Sequence, residues 1–371
     1  MKRGCVIGYD INEKGCQISY YDDSMEEPDT MMASSNNYLI PLVLGYFKDR
    51  WVFGKEAKRL AVVGEDCTET DLYGKAKRRE KVSLAGKTYD AVWLLAKYIS
   101  LTLQDFENIQ YLTFTTPETD VDMAKMLKGI GQHIGVDKEI INVQDYKESF
   151  CQYMIFQPKE LWQYESALFY CDEDRIKAYM LRRLRVDASH GMNSFVTVDE
   201  VANAQRKELE ALYPIMNKEK SPDESFKSMI ENVFEKKVIS SVYLTGEGFE
   251  KNWYPNSLRV LCNGRRAFMG NNLYSKGACY KSIRKCEPND DGPIYLDETK
   301  LTERICLRMR VDGQEGWYPL VTWGTHWYEA DGQWEVLLED ASDIEILVES
   351  LVDEEVQVEK VSLEGLPKRT D

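Results

Sequence analysis

The sequence predicts an α/β protein made of two related halves, followed by an all-β module. Three observations carry that prediction. Strand-like and helix-like segments alternate along most of the chain. Each half opens on a strand–turn–strand, "GYDINEKGCQISYY" from Gly8 and "SALFYCDEDRIKAYMLRR" from Ser166. After the Pro/Gly/Asp cluster "RKCEPNDDGP" the apolar pattern changes to period two. The expected boundaries are 1–165 for the first half, 166–288 for the second, 289–298 for a linker and 299–371 for the β module.

The elements follow in order. "GCVIGYDI" and "CQISYY" place β-branched and aromatic residues around a polar turn and read as a hairpin. "YLIPLVLGYFKDRWVFGKEAKRLA" gives a strand, a Lys48-Asp49-Arg50 turn, a second strand to Gly54 and a helix start. "TYDAVWLLAKYISLTLQDF" has apolar residues at helical spacing, among them Val92, Leu95 and Tyr98. "IQYLTFTTPE" is a strand ended by Pro117, and "VDMAKMLKGIGQHIG" a helix stopped by Gly135. "EIINVQ" then reads as a short strand and "DYKESFCQYMIF" as a helix.

In the second half, "TVDEVANAQRKELEALYPIM" reads as a helix capped by Thr197 or Asp199, and "FKSMIENVFEKK" as another. "VISSVYLTGEGF" is a strand ending in a Gly-x-Gly turn, and "NWYPNSLRVL" and "NNLYSKGACYKSI" are helical. In the tail, Ile305, Leu307, Met309 and Val311 alternate with polar partners. "WEVLL", "IEILVES" and "VQVEKVSL" look similar, and together they predict a small β-sandwich.

Composition narrows the function. Among 371 residues there are 47 basic and 63 acidic ones, a net charge of −16. Nucleic acid and anionic membranes both require a basic face, so neither is an expected partner. No apolar run approaches a membrane span, and the N-terminus lacks the apolar stretch of a signal peptide. The nine cysteines form no C-x-x-C pair and the three histidines lie far apart, so no metal site is expected. Reduced thiols in a cytoplasmic protein account for the cysteines, with no Cys5–Cys16 disulfide.

The order of landmarks resembles that of the actin-like and heat-shock-seventy ATPases. "YLIPLVLGYFKDRWVFGKEAKRLA" resembles their "TPSVV…VGEAAK" stretch and "YLTFTTPE" their "ViTVPA" strand. "INVQDYKESFCQYMIF" is similar to "INEPTAAALAY", "VYLTGEGF" to the adenosine motif "VvLVGGSTRIP", and "GNNLYSKGACYKS" to "GAAiyA". Beyond the cluster, "GPIYLDETKL" looks like the interdomain linker, and "VEKVSLEGLPKR" like "LGkFeLtGIPP" of the peptide-binding β domain. The signatures "ESF", "GNNLY" and "LEGLP" look like those of a degenerate bacterial branch. The resemblance spans nearly the whole chain.

The resemblance implies a two-lobed actin-like (ribonuclease H-like) ATPase fold followed by a peptide-binding β-sandwich. It implies Asp10 as the aspartate that orients a metal-bound water, Asp145 as the glutamate of "INEPTAAA" and Lys77 as the lysine after "GEAAK". It implies Gly8, Asp10, Asn12, Gly246, Gly248 and Gly270 as the nucleotide contacts, and Met309, Val311 and Tyr318 as the lining of a peptide slot. Plainer readings stand beside these. Asp10 can simply end a strand and cap its turn, and Asp145 can cap the next helix. Gly246 and Gly248 can serve a tight turn. Trp317, Tyr318, Trp323, Trp327 and Trp334 read as core of the β module.

The departures from the family pattern decide the expectation. The glycines and threonines of both phosphate loops are missing, and such glycines let backbone N–H groups approach phosphate oxygens. Each lost charge-assisted bond is worth roughly 1.5–3 kcal/mol. Glu13 stands in the first loop, and Asp172, Glu173 and Asp174 in the second. A carboxylate at about 4 Å from a phosphate oxygen costs up to about 4 kcal/mol at a surface-like dielectric. Lys14 and Arg175 offset part of that.

The expectation is therefore a non-hydrolysing or weakly nucleotide-regulated scaffold that binds a protein or extended peptide segment and holds no cofactor tightly. A divergent ATPase with weakly bound ATP and magnesium is the enzymatic alternative. An actin-like assembly protein is the structural one. The β tail does not suit a sugar kinase.

Overall fold

The computed structural model describes residues 4–34, 37–63, 67–185, 194–205, 221–286, 292–330, 335–337, 343–351 and 356–363. It is a mixed α/β protein that divides into two compact units. The first contains residues 1–181 and 198–290, the second 182–197 and 291–371. No helix among the described residues is long and apolar enough to cross a membrane.

The first unit begins with the hairpin β1 (Cys5–Ile11) and β2 (Gly15–Tyr21), followed by the short strands β3 (Asp29–Thr30) and β4 (Ile40–Pro41). A small sheet of β5 (Leu44–Phe47), β6 (Arg50–Phe53) and β7 (Thr68–Glu69) carries helix α1 (Gly54–Val63). Helix α2 (Leu72–Lys77), the hairpin β8 (Lys81–Leu84) and β9 (Lys87–Asp90), and helix α3 (Ala91–Thr102) come next. Then follow β10 (Ile109–Thr116), α4 (Val121–His133), β11 (Ile141–Asp145) and α5 (Tyr146–Ile155).

The second run has β12 (Glu165–Cys171), β13 (Arg175–Arg185), β14 (Ser194–Gln205) and α6 (Pro222–Phe234). It closes with β15 (Ile239–Thr245), α7 (Pro255–Leu261), β16 (Arg266–Met269) and α8 (Leu273–Cys286).

The two large sheets of this unit share one strand order. The first runs β11-β10-β1-β2-β3 and the second β16-β15-β12-β13-β14. In each, the opening strand pairs antiparallel with the second and parallel with the fourth, as β1 does with β2 and β10, and β12 with β13 and β15. Both opening strands are thus central and read as apolar runs, since both faces are covered.

Helices α5 and α8 pack side by side. Gly277 of α8 would place a Cβ 1.9 Å from the Ser149 carbonyl oxygen, so that crossing needs glycine. Lys281 pairs with the buried Glu148 at 2.9 Å, and Arg284 donates to Gln152 at 3.0 Å. Helix α8 lies against the first sheet, where Ser282 donates to the Ile7 carbonyl at 3.0 Å and Ser275 meets Ser19 at 2.8 Å. Helix α5 turns Phe150 and Tyr153 toward Tyr243 of β15. The core of the second sheet gathers Phe169, Phe226, Ile230, Leu244 and Phe249.

The second unit holds β17 (Ile294–Tyr295), paired in parallel with Phe195 and Val196 of β14, inside the segment expected to be a linker. It continues with β18 (Glu303–Val311), β19 (Gln314–Val321), β20 (Asp343–Ser350) and β21 (Val356–Ser362), ordered β19-β18-β20-β21 in one antiparallel sheet. Phe195, Leu296, Trp323 and Leu351 form its buried cluster.

Three expectations need correction. Residues 197–205, read as the start of a helix, belong to strand β14; the rest of that predicted helix lies outside the described residues. Glu335–Leu337 of "WEVLL" has no regular structure. The expected sandwich is a single four-stranded sheet among the described residues, because period two specifies one buried face and not what covers it.

Candidate functional site

The site forms at the end of β1. Asp10 is 3% exposed, lies between Thr115 of β10 and Gln17 of β2, and accepts a hydrogen bond from the Tyr146 hydroxyl at 2.7 Å. Burial pushes its carboxyl up to about 7, against the lowering effect of that hydrogen bond. Tyr146 begins helix α5. Its ring stacks on Tyr274 of α8, with centroids 3.7 Å apart and planes 7° from parallel. Burial, reinforced by the Asp10 charge, raises the Tyr146 hydroxyl far above the usual phenol range, so it stays a donor. Tyr274 is raised likewise by burial, with Tyr179, Tyr170 and Asp10 adding to it. Tyr146 is thus the phenol that Asp10 holds, backed by the stacked ring of Tyr274.

The two hairpin loops close in the same way. In the first, the Asn12 side-chain oxygen accepts from the Lys14 amide at 2.9 Å and the Gly15 amide at 3.2 Å, while the Asn12 amide donates to the Gly15 carbonyl. In the second, an Asp172 carboxylate oxygen accepts from the Asp174 and Arg175 amides, each at 2.8 Å, while the Asp172 amide donates to the Arg175 carbonyl. Each loop is an Asx turn, with these amides held by its own first side chain. The Asn12 side-chain nitrogen also donates to Tyr146 at 2.9 Å.

Lys14, at the tip of the first loop, pairs with Glu247 just after β15. Desolvation opposes its charge, but the Glu247 bond and the Glu247, Glu173 and Asp172 charges together raise its pKa. Both partners are about half exposed, 50% and 41%, so the pair is worth under about 1 kcal/mol.

The glycines serve packing. A Cβ on Gly8 would lie 2.2 Å from the Cys279 amide nitrogen and the Ser275 carbonyl oxygen of α8. Gly246 has φ +100° and would place a Cβ 2.2 Å from the Cys171 carbonyl oxygen; its amide donates to Asn271 at 3.1 Å. Gly248 would meet the Cys171 sulfur at 2.3 Å. Gly270 is exposed, with Asn272 Oδ1 3.8 Å from where its Cβ would be.

Asp145 caps α5 by accepting from the Glu148 amide at 2.8 Å. Lys77 is exposed at the end of α2. The side chain of α2 influenced by Asp10 is Tyr73, whose hydroxyl is pushed up to about 12 by burial, opposed by a Thr116 hydrogen bond and aided by Asp10 and Glu13.

The structure thus brings Asp10 and Asn12 together on Tyr146. It gives Gly8, Gly246 and Gly248 backbone neighbours. Sequence reasoning missed Tyr146 and Tyr274; the available signal was the 22 tyrosines, one of them directly after Asp145. No group of three or more potential metal-ligating side chains gathers among the described residues.

In the β module, Met309, Val311 and Tyr318 lie on the hairpin of β18 and β19, where Leu307 pairs with Tyr318, Met309 with Gly316 and Val311 with Gln314. Val311 is 38% exposed and the other two are half-buried. Asp312 and Gly313 make the tight turn, with φ +51° and +80°. Of the aromatics read as core, Trp323 is buried, Trp317 and Trp327 are exposed, and Trp334 lies outside the described residues. Cys16 is buried against the Tyr98 hydroxyl.

Fold and site together define a mixed α/β protein with two like-ordered sheets and, at the end of the first central strand, a buried aspartate hydrogen-bonded by a tyrosine. Residues 27–298 match the model for the C-terminal region of a family of unknown function, DUF5716, and the chain belongs to that family. Residues 300–371 match a domain of unknown function, DUF8552. No curated protein matches the sequence.

Proposed function

We propose that this protein is an actin-like, heat-shock-seventy-type molecule whose nucleotide cleft has become a fixed junction, and that it works as a protein-binding scaffold. The shared strand order of the two sheets, with α5 and α8 side by side, supports the fold reading. The loss of nucleotide binding rests on one observation: the Lys14 and Gly15 amides of the first loop and the Asp174 and Arg175 amides of the second are already bound by Asn12 and Asp172. A phosphate would have to displace those bonds and then face Glu13, Asp172 and Glu173. Gly8 and Gly246 do not restore the cradle, since backbone atoms of α8 and Cys171 occupy the space beside them. Asp10, buried and held by Tyr146, is better placed to lock the junction than to orient a metal-bound water.

The binding function is assigned to the β module. Met309, Val311 and Tyr318 offer a partly open apolar strip, and β19 is an edge strand. An extended segment of a partner can add there by strand pairing. Pro319 limits the usable edge to the part near the turn.

An assay of magnesium-dependent phosphate release from ATP tests the first half of this reading. The expected result is no release above background. Steady release that disappears in Asp10→Ala with the fold intact would establish the ATPase alternative.

A further inference from the structure

We infer that the groove between α3 and α4 is a docking site for an acidic amphipathic helix of a partner protein. It is separate from the Asp10 site and from the β module, and does not depend on the scaffold reading. The groove has a volume of about 410 Å³. Ala96 of α3 and Met126 and Ile130 of α4 line it with apolar surface.

Three features point to a macromolecular partner of that kind. The first is a prepared anchor. Trp93 is 38% exposed yet held rigidly, stacked on Tyr89 at 5.4 Å and edge-on to Trp51 at 5.8 Å. A fixed, half-exposed tryptophan beside an apolar groove is the residue type that dominates interfaces.

The second is Gly129. Glycine inside a helix is destabilising, and elsewhere in this unit tight contacts explain it: Gly131, two residues on, would meet Ile141 at 2.5 Å. A Cβ on Gly129 would meet nothing within 4 Å, and Gly129 lines the groove. The space it leaves admits the backbone of an approaching helix.

The third is charge. Arg79, Lys125 and His133 border the groove, and among the described residues none of their side chains makes a hydrogen bond or ion pair. The one acid on the lining, Asp90, is occupied with the Val92 and Trp93 amides at the start of α3. On a chain of net charge −16, the Arg79 and Lys125 charges beside apolar surface select an acidic partner. Along α3 and α4 the backbone groups bond internally, so an extended segment finds no ladder there; a helix laid between them satisfies both sides.

The test is a selection of displayed twenty-residue helical peptides, randomised in sequence, on the full chain. Binding is then measured to the full chain, to Gly129→Leu and to Arg79→Glu/Lys125→Glu, with folding checked by thermal melting. The selected peptides should be acidic, with apolar residues at i, i+4 and i+7. They should lose at least tenfold affinity for both variants and keep it for Lys125→Arg. Basic or extended peptides, or peptides that bind Gly129→Leu as well as the parent, would overturn the inference. So would a dimer seen by light scattering and abolished by Gly129→Leu, which would make a second copy of the chain the occupant.

Discussion

Asp10 lies near the end of a central strand, where it holds the Tyr146 hydroxyl and burial raises its carboxyl to about 7. The unfolded value is near 4, so the folded state binds the extra proton between about pH 4 and 7. The stabilising contribution of protonated Asp10 is complete below the unfolded value and is lost as pH rises through about 7. Across that window the loss amounts to at most about 4 kcal/mol. Asp10→Asn cannot ionise and still offers Tyr146 an acceptor. Denaturant unfolding should find its stability relative to the parent rising from about pH 4 to pH 7, and should find it clearly more stable at pH 8. Parallel pH profiles for the two proteins would show that Asp10 carries no such linkage. The sequence makes Asp10 and Asn12 legible because a strand end followed by a polar turn is a local pattern. Tyr146 is not legible in that way: its contact with Asp10 spans 136 positions.

The hairpin loops and the helix beneath them carry the account at the scale of elements. Glycine in "GYDINEKG" reads as a phosphate contact in sequence, yet Gly8 is needed because α8 crosses β1 at backbone distance. Gly8→Ala should cost at least about 3 kcal/mol, since backbone atoms at 2.2 Å cannot move aside as a side chain can. Gly270→Ala, in open surroundings, should stay within about 0.5 kcal/mol. Thermal melts of the two variants separate these outcomes; equal stability would mean that α8 does not seat on Gly8.

Hairpins and long amphipathic helices were readable because their signals are local. Strand β14 was not: the Glu, Ala, Gln and Lys residues around it favour a helix, and pairing beside β13 overrides them. Strand β16 and the β8–β9 hairpin are four residues per strand, too short for periodicity to register. On the β18–β19 hairpin, Val311→Asp places a charge on the open strip without burying it. A pull-down with the full chain should lose its partner; unchanged capture would move the binding surface elsewhere.

At the scale of the whole molecule, the two large sheets share one strand order. The opening hairpins repeat even in how their turns are bonded, Asn12 in one and Asp172 in the other. The alternation of strands and helices made the α/β class legible, while the covering of the β module's sheet was not, because a buried face does not name its partner. The central claim is that the repeat has kept its architecture and surrendered its ligand. Calorimetric titration of the full chain with magnesium–ATP tests it most directly. The account predicts heats of dilution only, up to millimolar nucleotide. A saturable, magnesium-dependent isotherm in the micromolar range, lost in Asp10→Asn, would contradict it.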